Sequence, residues 1–99
     1  MLWAQHLLKA ATDTEIIPDL GDIEPYILLS EFYWLLAQQP AGEGGYLHTD
    51  GTANLGYIRD ESFVPRAVSA RWHFKGWFLS AYPIDLPALW VRGDQLIRY

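Results

Sequence analysis

The chain has 99 residues, of which 51% are hydrophobic and 19% charged, and its formal net charge is −5. This length predicts one domain, residues 1–99, and the apolar fraction is too high for a disordered chain. The absence of cysteine excludes disulfides, thiolate metal sites and cysteine nucleophiles. No apolar run reaches the roughly 20 residues that span a bilayer, and no signal peptide is evident. We therefore expect a cytoplasmic protein that has no membrane partner.

The first forty residues have the periodicity of helices. Leu2–Thr12 places its apolar side chains along one stripe and its polar ones on the opposite side, which predicts a first helix. Asp13–Glu24 contains a proline and a glycine and is predicted to be a loop. Asp22 is the expected N-cap of a second helix, Glu24–Gln39, which ends before a glycine-rich connection.

The second half alternates apolar and polar residues between turn dipeptides, which is typical of β-hairpins. Three hairpins are predicted, pairing Tyr46–Thr49 with Thr52–Arg59, Val68–Phe74 with Trp77–Tyr82, and Leu89–Arg92 with Gln95–Tyr99. The fold class is therefore α+β. Two N-terminal helices are expected to pack on one face of an antiparallel sheet built from up to three hairpins.

The middle hairpin allows a prediction of register. A two-residue turn at Lys75–Gly76 would place Trp72 opposite Leu79 and Phe74 opposite Trp77, all on the buried face. The other face would carry polar side chains, as in a sheet that is half exposed to solvent.

Few residues form a recognisable catalytic or metal-binding pattern. His48 and Asp50 would share one face of a strand, and His73 could join them across the sheet, so a small metal-dependent or acid–base enzyme is one alternative. The simpler explanation is that Asp50 begins an Asp-Gly turn and that His48 is an ordinary sheet histidine. No nucleophile elbow, zinc-binding helix or phosphate loop is present. The leading expectation is a protein without catalytic residues, bound metal or cofactor.

Acidic residues are concentrated in the first half of the chain. Residues 1–50 hold eight acidic side chains against one lysine, whereas residues 51–99 hold four acidic against six basic ones. Such an asymmetry bears on partners and encounter rates. We predict a small acidic interaction module or inhibitor that binds a basic surface on a protein. Phage-encoded inhibitors, immunity proteins and nucleic-acid mimics are of this physical type.

A binding anchor is predicted on the second helix. On a helical wheel of Glu24–Gln39, Ile27 and Trp34 lie on the same side as Glu31, where they would be exposed unless something covers them. The cover could be the C-terminal hairpin, a second copy of the chain in a homodimer, or a distinct partner. The predicted partner-binding residues are Asp13, Glu15, Asp19, Asp22, Glu24, Ile27, Glu31 and Trp34.

The first alternative to an interaction module, ahead of the enzyme, is nucleic-acid binding on the outer face of the sheet. Arg71, Lys75, Phe78 and Tyr82 would together combine positive charge with stacking rings. The negative net charge argues against a nucleic-acid partner, because binding to phosphates depends on a basic surface.

Overall fold

The computed structural model describes residues 2–84 and 89–99. Two helices and eight strands lie within them. They are β1 (Trp3–His6), β2 (Ala11–Thr12), α1 (Asp13–Asp19), β3 (Tyr26–Ile27), α2 (Leu29–Ala37), β4 (Asn54–Arg59), β5 (Pro65–His73), β6 (Gly76–Pro83), β7 (Leu89–Trp90) and β8 (Gln95–Arg98). Neither of these helices is long and apolar enough to cross a membrane.

The main sheet is mixed, and its strand order is β1-β8-β4-β5-β6. Strand β4 runs parallel to β8 and antiparallel to β5, and the short β3 also pairs with it in parallel. Strands β2 and β7 form a separate two-stranded sheet. The α+β class is therefore confirmed, whereas the prediction of a purely antiparallel sheet is wrong.

Both faces of the sheet are covered, so the prediction that both helices share one face is wrong. Leu55 and Tyr57 of β4 pack into one apolar cluster with Ile16 of α1. Ile58 of the same strand packs into a second cluster with Phe32 of α2. Because successive side chains of a strand point to opposite faces, α1 and α2 lie on opposite sides of the sheet.

The N-terminal residues do not form the predicted helix. Within Leu2–Thr12 the chain forms β1, which pairs with β8, and then β2. The helix comes later, in Asp13–Asp19, where a loop was predicted. Its start is stabilised by Glu15, whose Oε1 accepts the Thr12 backbone N–H at 3.0 Å. Strand pairing with the distant C-terminus thus overrides the local helical pattern.

Helix α2 is shorter than predicted. It begins at Leu29, five residues after the predicted start, and Leu28 is its N-cap rather than Asp22. The preceding Tyr26–Ile27 is extended because it pairs in parallel with β4. Glu31 accepts the Leu28 backbone N–H at 2.9 Å and so supports the start of the helix.

The middle hairpin is the only one of the three predicted hairpins found within the described residues. Its register differs from the prediction by two residues: Trp72 lies opposite Trp77, and Ala70 lies opposite Leu79. The turn consists of Phe74 and Lys75. A shift of two residues keeps every paired side chain on its predicted face. Two residues that were predicted to be buried are exposed: Phe74, which lies in the turn with φ 56°, and Leu79, which is 39% exposed.

The first and third predicted hairpins do not form. Residues 46–49 make no strand, and β7 pairs with β2 instead of β8. The third turn is instead held by Asp94, whose carboxylate accepts the backbone N–H groups of Val91 and Ala53, both at 3.0 Å. The bond from Ala53 to Asp94 joins the residues just before β4 and just before β8, and the two strands then run in parallel.

A glycine in β4 allows α2 to approach the sheet. A Cβ atom at Gly56 would lie 2.9 Å from the ring of the buried Phe32 and 3.1 Å from Ile27 Cδ1. We predict that Gly56→Ala lowers the free energy of unfolding by about 1–3 kcal/mol, as overpacking does.

Urea denaturation measures this loss. Gly44→Ala is the matched control, because no atom lies within 4 Å of its Cβ position. Equal stability of the two variants would show that α2 does not pack closely on Gly56.

Candidate functional site

Asp13 is part of the core and not of an acidic surface. Its side chain is 1% exposed, and its Oδ1 accepts hydrogen bonds from Tyr57 Oη and Trp90 Nε1, both at 2.7 Å. Burial raises the pKa of the Tyr57 hydroxyl well above its usual range, and the bond to Asp13 raises it further. The prediction that Asp13 contacts a partner is corrected, because the carboxylate joins three chain segments internally.

The other acidic residues of this segment are exposed. Glu15 caps the start of α1 by accepting the Thr12 backbone N–H, and this hydrogen bond lowers the pKa of Glu15. Glu15 and Asp19 line an open depression of about 990 Å³ between β1 and α1, together with Lys9. Asp22 and Glu24 are also exposed. Because α1 lies on the opposite face of the sheet from α2, the structure does not bring all the predicted residues together.

Ile27 and Trp34 do not form a joint anchor. Ile27 is 2% exposed and lies in β3, where it packs beneath α2. Trp34 is 62% exposed on α2. Trp90 and Leu96 of the predicted C-terminal cover pack on the opposite face, and Ile97 packs beneath α2, so Trp34 stays largely exposed. Of the two predicted anchor residues, only Trp34 is available to a partner.

An open groove of about 680 Å³ lies beside Trp34. Its apolar lining includes Leu2, Leu35 and Tyr46, and its polar lining includes Glu31 and Gln38. The Tyr46 hydroxyl donates a hydrogen bond to the Leu2 backbone oxygen at 2.6 Å, so the loop after α2 is joined to the start of β1. The groove thus combines apolar walls, an exposed indole and one carboxylate.

Glu31 is held in place at this groove by two hydrogen bonds. Its Oε1 accepts the Leu28 backbone N–H and also the Tyr99 hydroxyl. The bond from the hydroxyl to the carboxylate raises the pKa of Tyr99 to about 12, and Glu24 contributes a weaker electrostatic effect in the same direction. Glu24 and Glu31 therefore supply negative charge on the side of the molecule that carries the groove.

A pair of histidines forms a second constellation, which the sequence did not reveal. His6 of β1 and His48 of the loop after α2 meet with their Nε2 atoms 3.0 Å apart. His6 Nε2 also lies 3.1 Å from Gln95 Oε1. His6 was assigned to a helix, and only the pairing of β1 with β8 places it here. No local sequence signal could have shown this contact.

His48 and Asp50 do not share a strand face as predicted, because no strand forms at residues 46–49, and the two side chains are linked through Thr52 instead. His48 Nδ1 lies 3.0 Å from Thr52 Oγ1, which donates to Asp50 Oδ1 at 2.6 Å. The side-chain and backbone hydrogen bonds from Thr52 lower the pKa of Asp50. Asn54 fixes the His48 backbone by accepting its N–H at 2.8 Å and donating to its carbonyl oxygen at 3.0 Å.

His73 does not join this constellation. Its ring makes edge contacts with Phe74 and Phe78 at the end of the middle hairpin. Within residues 2–84 and 89–99, no three His, Cys, Asp or Glu side chains come close enough to hold a metal ion between them. The predicted grouping of His48, Asp50 and His73 is therefore wrong, because β5 carries His73 to the far end of the hairpin.

The predicted nucleic-acid platform is only partly assembled. Arg71 lies opposite Phe78, which is 61% exposed, and these two share a face with Tyr82. Tyr82 is half-buried against Trp90, with ring centroids 6.2 Å apart, and Lys75 lies in the turn. Arg71 donates to the Gly51 carbonyl oxygen at 3.2 Å. Of the two rings predicted for this platform, only Phe78 is largely exposed, and it lies beside one arginine.

Comparison of the chain with protein-family models, curated proteins and solved structures finds no match.

The Tyr99–Glu31 bond predicts how stability depends on pH. The pKa of Tyr99 is raised in the folded state from 10.0 to about 12. The contribution of the bond to the free energy of unfolding is therefore fully present below pH 10. Its contribution is lost as the pH rises from 10 to 12.

Ultraviolet titration of wild type and Tyr99→Phe isolates the hydroxyl's transition by difference. We expect its midpoint near 12 in the wild type and near 10, the ordinary value, in a Glu31→Gln background. A midpoint that Glu31→Gln leaves unchanged would contradict the bond.

Proposed function

We propose that the protein is a small interaction module that binds a basic segment of a partner protein in the groove beside α2. The observation that supports this proposal is the position of Trp34, 62% exposed at the edge of an apolar groove that also contains the Glu31 carboxylate. Tryptophan is one of the residue types that are enriched at the energetic centre of protein interfaces.

The groove suits a lysine or arginine side chain. Both have a long apolar stem and a cationic end. The stem would lie against Leu2, Leu35 and Tyr46. The cationic end would then reach either the face of the Trp34 indole or the Glu31 carboxylate.

The charge of the whole molecule supports the same partner. A net charge of −5 attracts a basic surface from a distance and accelerates association. The exposed Asp19, Asp22 and Glu24 contribute to this field without lining the groove beside Trp34. Such a module acts as an inhibitor when the basic surface that it covers is functional in the partner.

A peptide rich in lysine and leucine, with an otherwise identical glutamate peptide for comparison, tests this proposal. The lysine peptide should shift the backbone amide signals of residues 30–38 and 44–46 in NMR spectra, and added salt should weaken its binding. Trp34→Ala should weaken binding by about 2 kcal/mol and change the free energy of unfolding by less than about 1 kcal/mol.

Phe78→Ala is the matched control, because Phe78 is 61% exposed but lies on the opposite face of the sheet. This variant should bind the lysine peptide as the wild type does. Equal binding of the two peptides, or equal losses in Trp34→Ala and Phe78→Ala, would contradict the proposal. Binding of a single-stranded oligonucleotide that Phe78→Ala abolishes would instead favour the nucleic-acid alternative.

The other candidate partner for the exposed Trp34 is a second copy of the same chain. If a second copy covers the groove, sedimentation should show a wild-type dimer that Trp34→Ala converts to a monomer. The proposal predicts a monomer for both proteins.

A further inference from the structure

The hydrogen bonds around His48 determine which of its ring nitrogens carries a lone pair. Thr52 has one hydroxyl hydrogen, and it is donated to Asp50 Oδ1 at 2.6 Å. Thr52 Oγ1 must therefore accept a hydrogen from His48 Nδ1, 3.0 Å away. A neutral imidazole has one N–H and one bare nitrogen, so Nε2 of neutral His48 presents a lone pair.

The orientation of the Gln95 side-chain amide is also fixed by its hydrogen bonds. Its Nε2 donates to the Tyr46 backbone oxygen at 2.9 Å and to Asn54 Oδ1 at 3.1 Å. A flipped amide would place an oxygen against these two acceptors, so the network fixes Oε1 on the side of His6. Gln95 is 2% exposed, and Oε1 is thus a buried acceptor that points at the histidine pair.

Three atoms that can bind a cation therefore lie close together: Nε2 of His6, Nε2 of His48 and Oε1 of Gln95. At most one of them, His6 Nε2, carries a hydrogen. His6 Nε2 lies 3.0 Å from His48 Nε2 and 3.1 Å from Gln95 Oε1. In the metal-free protein, the single N–H of His6 Nε2 faces two acceptors. When His6 carries its hydrogen on Nδ1 instead, its Nε2 is bare, and a cation placed among the three atoms would accept all three lone pairs at once.

We infer that His6 and His48 bind a divalent transition-metal ion of the zinc class through their Nε2 atoms, with Gln95 Oε1 as a third ligand. Two nitrogens that are each about 2.0–2.1 Å from one metal ion lie about 2.9–3.4 Å apart, which includes the 3.0 Å observed. Imidazole nitrogens suit zinc, copper and nickel better than magnesium or calcium.

The surroundings have the features of a supported metal site. Metal-binding histidines commonly donate their second ring N–H to a carboxylate, a carbonyl oxygen or another oxygen that fixes the ring. His48 does so through Thr52 to Asp50. Both histidines reach solvent, so an ion can enter, and water would complete the coordination shell. This site is independent of the proposed peptide groove, and either can exist without the other.

Titration of the full chain with Zn²⁺ alone, followed by calorimetry, tests the inference. We expect one saturable site for Zn²⁺ and none for Mg²⁺. His6→Gln and His48→Gln should each weaken binding by at least about tenfold, since even the loss of an outer partner costs about 10–100-fold. His73→Gln, a matched control at the far end of the hairpin, should bind Zn²⁺ as the wild type does.

Thr52→Val tests the role of Thr52 as a positioning residue. It removes the acceptor of the His48 Nδ1 hydrogen, and Zn²⁺ binding should weaken by about 10–100-fold while the far-UV circular dichroism spectrum stays unchanged. Unchanged zinc affinity in this variant would contradict the assigned tautomer.

Nitrogen NMR of the imidazole rings in the wild-type protein gives a result that does not depend on any variant folding. Without metal, His48 should show a protonated Nδ1 and a bare Nε2. Zn²⁺ should then shift Nε2 of both His6 and His48, and leave both nitrogens of His73 unchanged. Absence of saturable Zn²⁺ binding, or shifts confined to His73, would overturn the inference.

Discussion

Burial of β4 on both faces is the constraint on which the rest of the structure depends. Every residue from Asn54 to Ile58 is buried, and the strand has β5 on one side and both β8 and β3 on the other. One face packs against α1 and the other against α2, so each helix needs its own apolar cluster. Strand β4 is enclosed only when β3, β5 and β8 all pair with it. Pairing between distant strands therefore overrides the local sequence patterns near both ends of the chain.

Both candidate sites lie on the α2 face, and one loop serves them. Gln39 holds the loop to the end of α2: its Oε1 accepts the Leu47 backbone N–H at 2.8 Å, and its Nε2 donates to the Leu47 carbonyl oxygen at 3.1 Å. Tyr46, just before this anchor, lines the groove, and His48, just after it, meets His6. Three buried amide side chains, Gln39, Asn54 and Gln95, therefore position a loop that has no regular structure of its own.

Structure that depends on neighbouring residues could be predicted from the sequence. Structure that depends on pairing between distant strands could not. The middle hairpin was predicted, although its register was wrong by two residues, because alternation and a turn signal are local properties. Residues 2–12 show a helical stripe, yet their backbone is extended because β8 supplies its partners. A loop was predicted for Asp13–Asp19 because Pro18 suggested a helix breaker, but a short helix forms and ends one residue after Pro18.

In the candidate sites, too, local features could be predicted from the sequence and contacts between distant residues could not. Exposure of Trp34 among polar neighbours could be predicted from the helical wheel, whereas burial of Asp13 depends on Tyr57 and Trp90, far along the chain. The sequence predicted that His48 and Asp50 share a strand face, but no strand forms there, and their link runs through Thr52. The contact with His6 spans 42 residues and required the strand order.

Amide hydrogen exchange of the native protein tests most directly whether a strand covered on both faces organises the molecule. Amides of β4 that bond to β5 and β8 should exchange only by global unfolding and should be the slowest of the chain. Amides on the outer edge of β6, which pairs only with β5 among the described strands, should exchange much faster. If the β4 amides exchange as fast as those of the β6 edge, β4 is not the buried centre of the fold, and the placement of both sites around it is wrong.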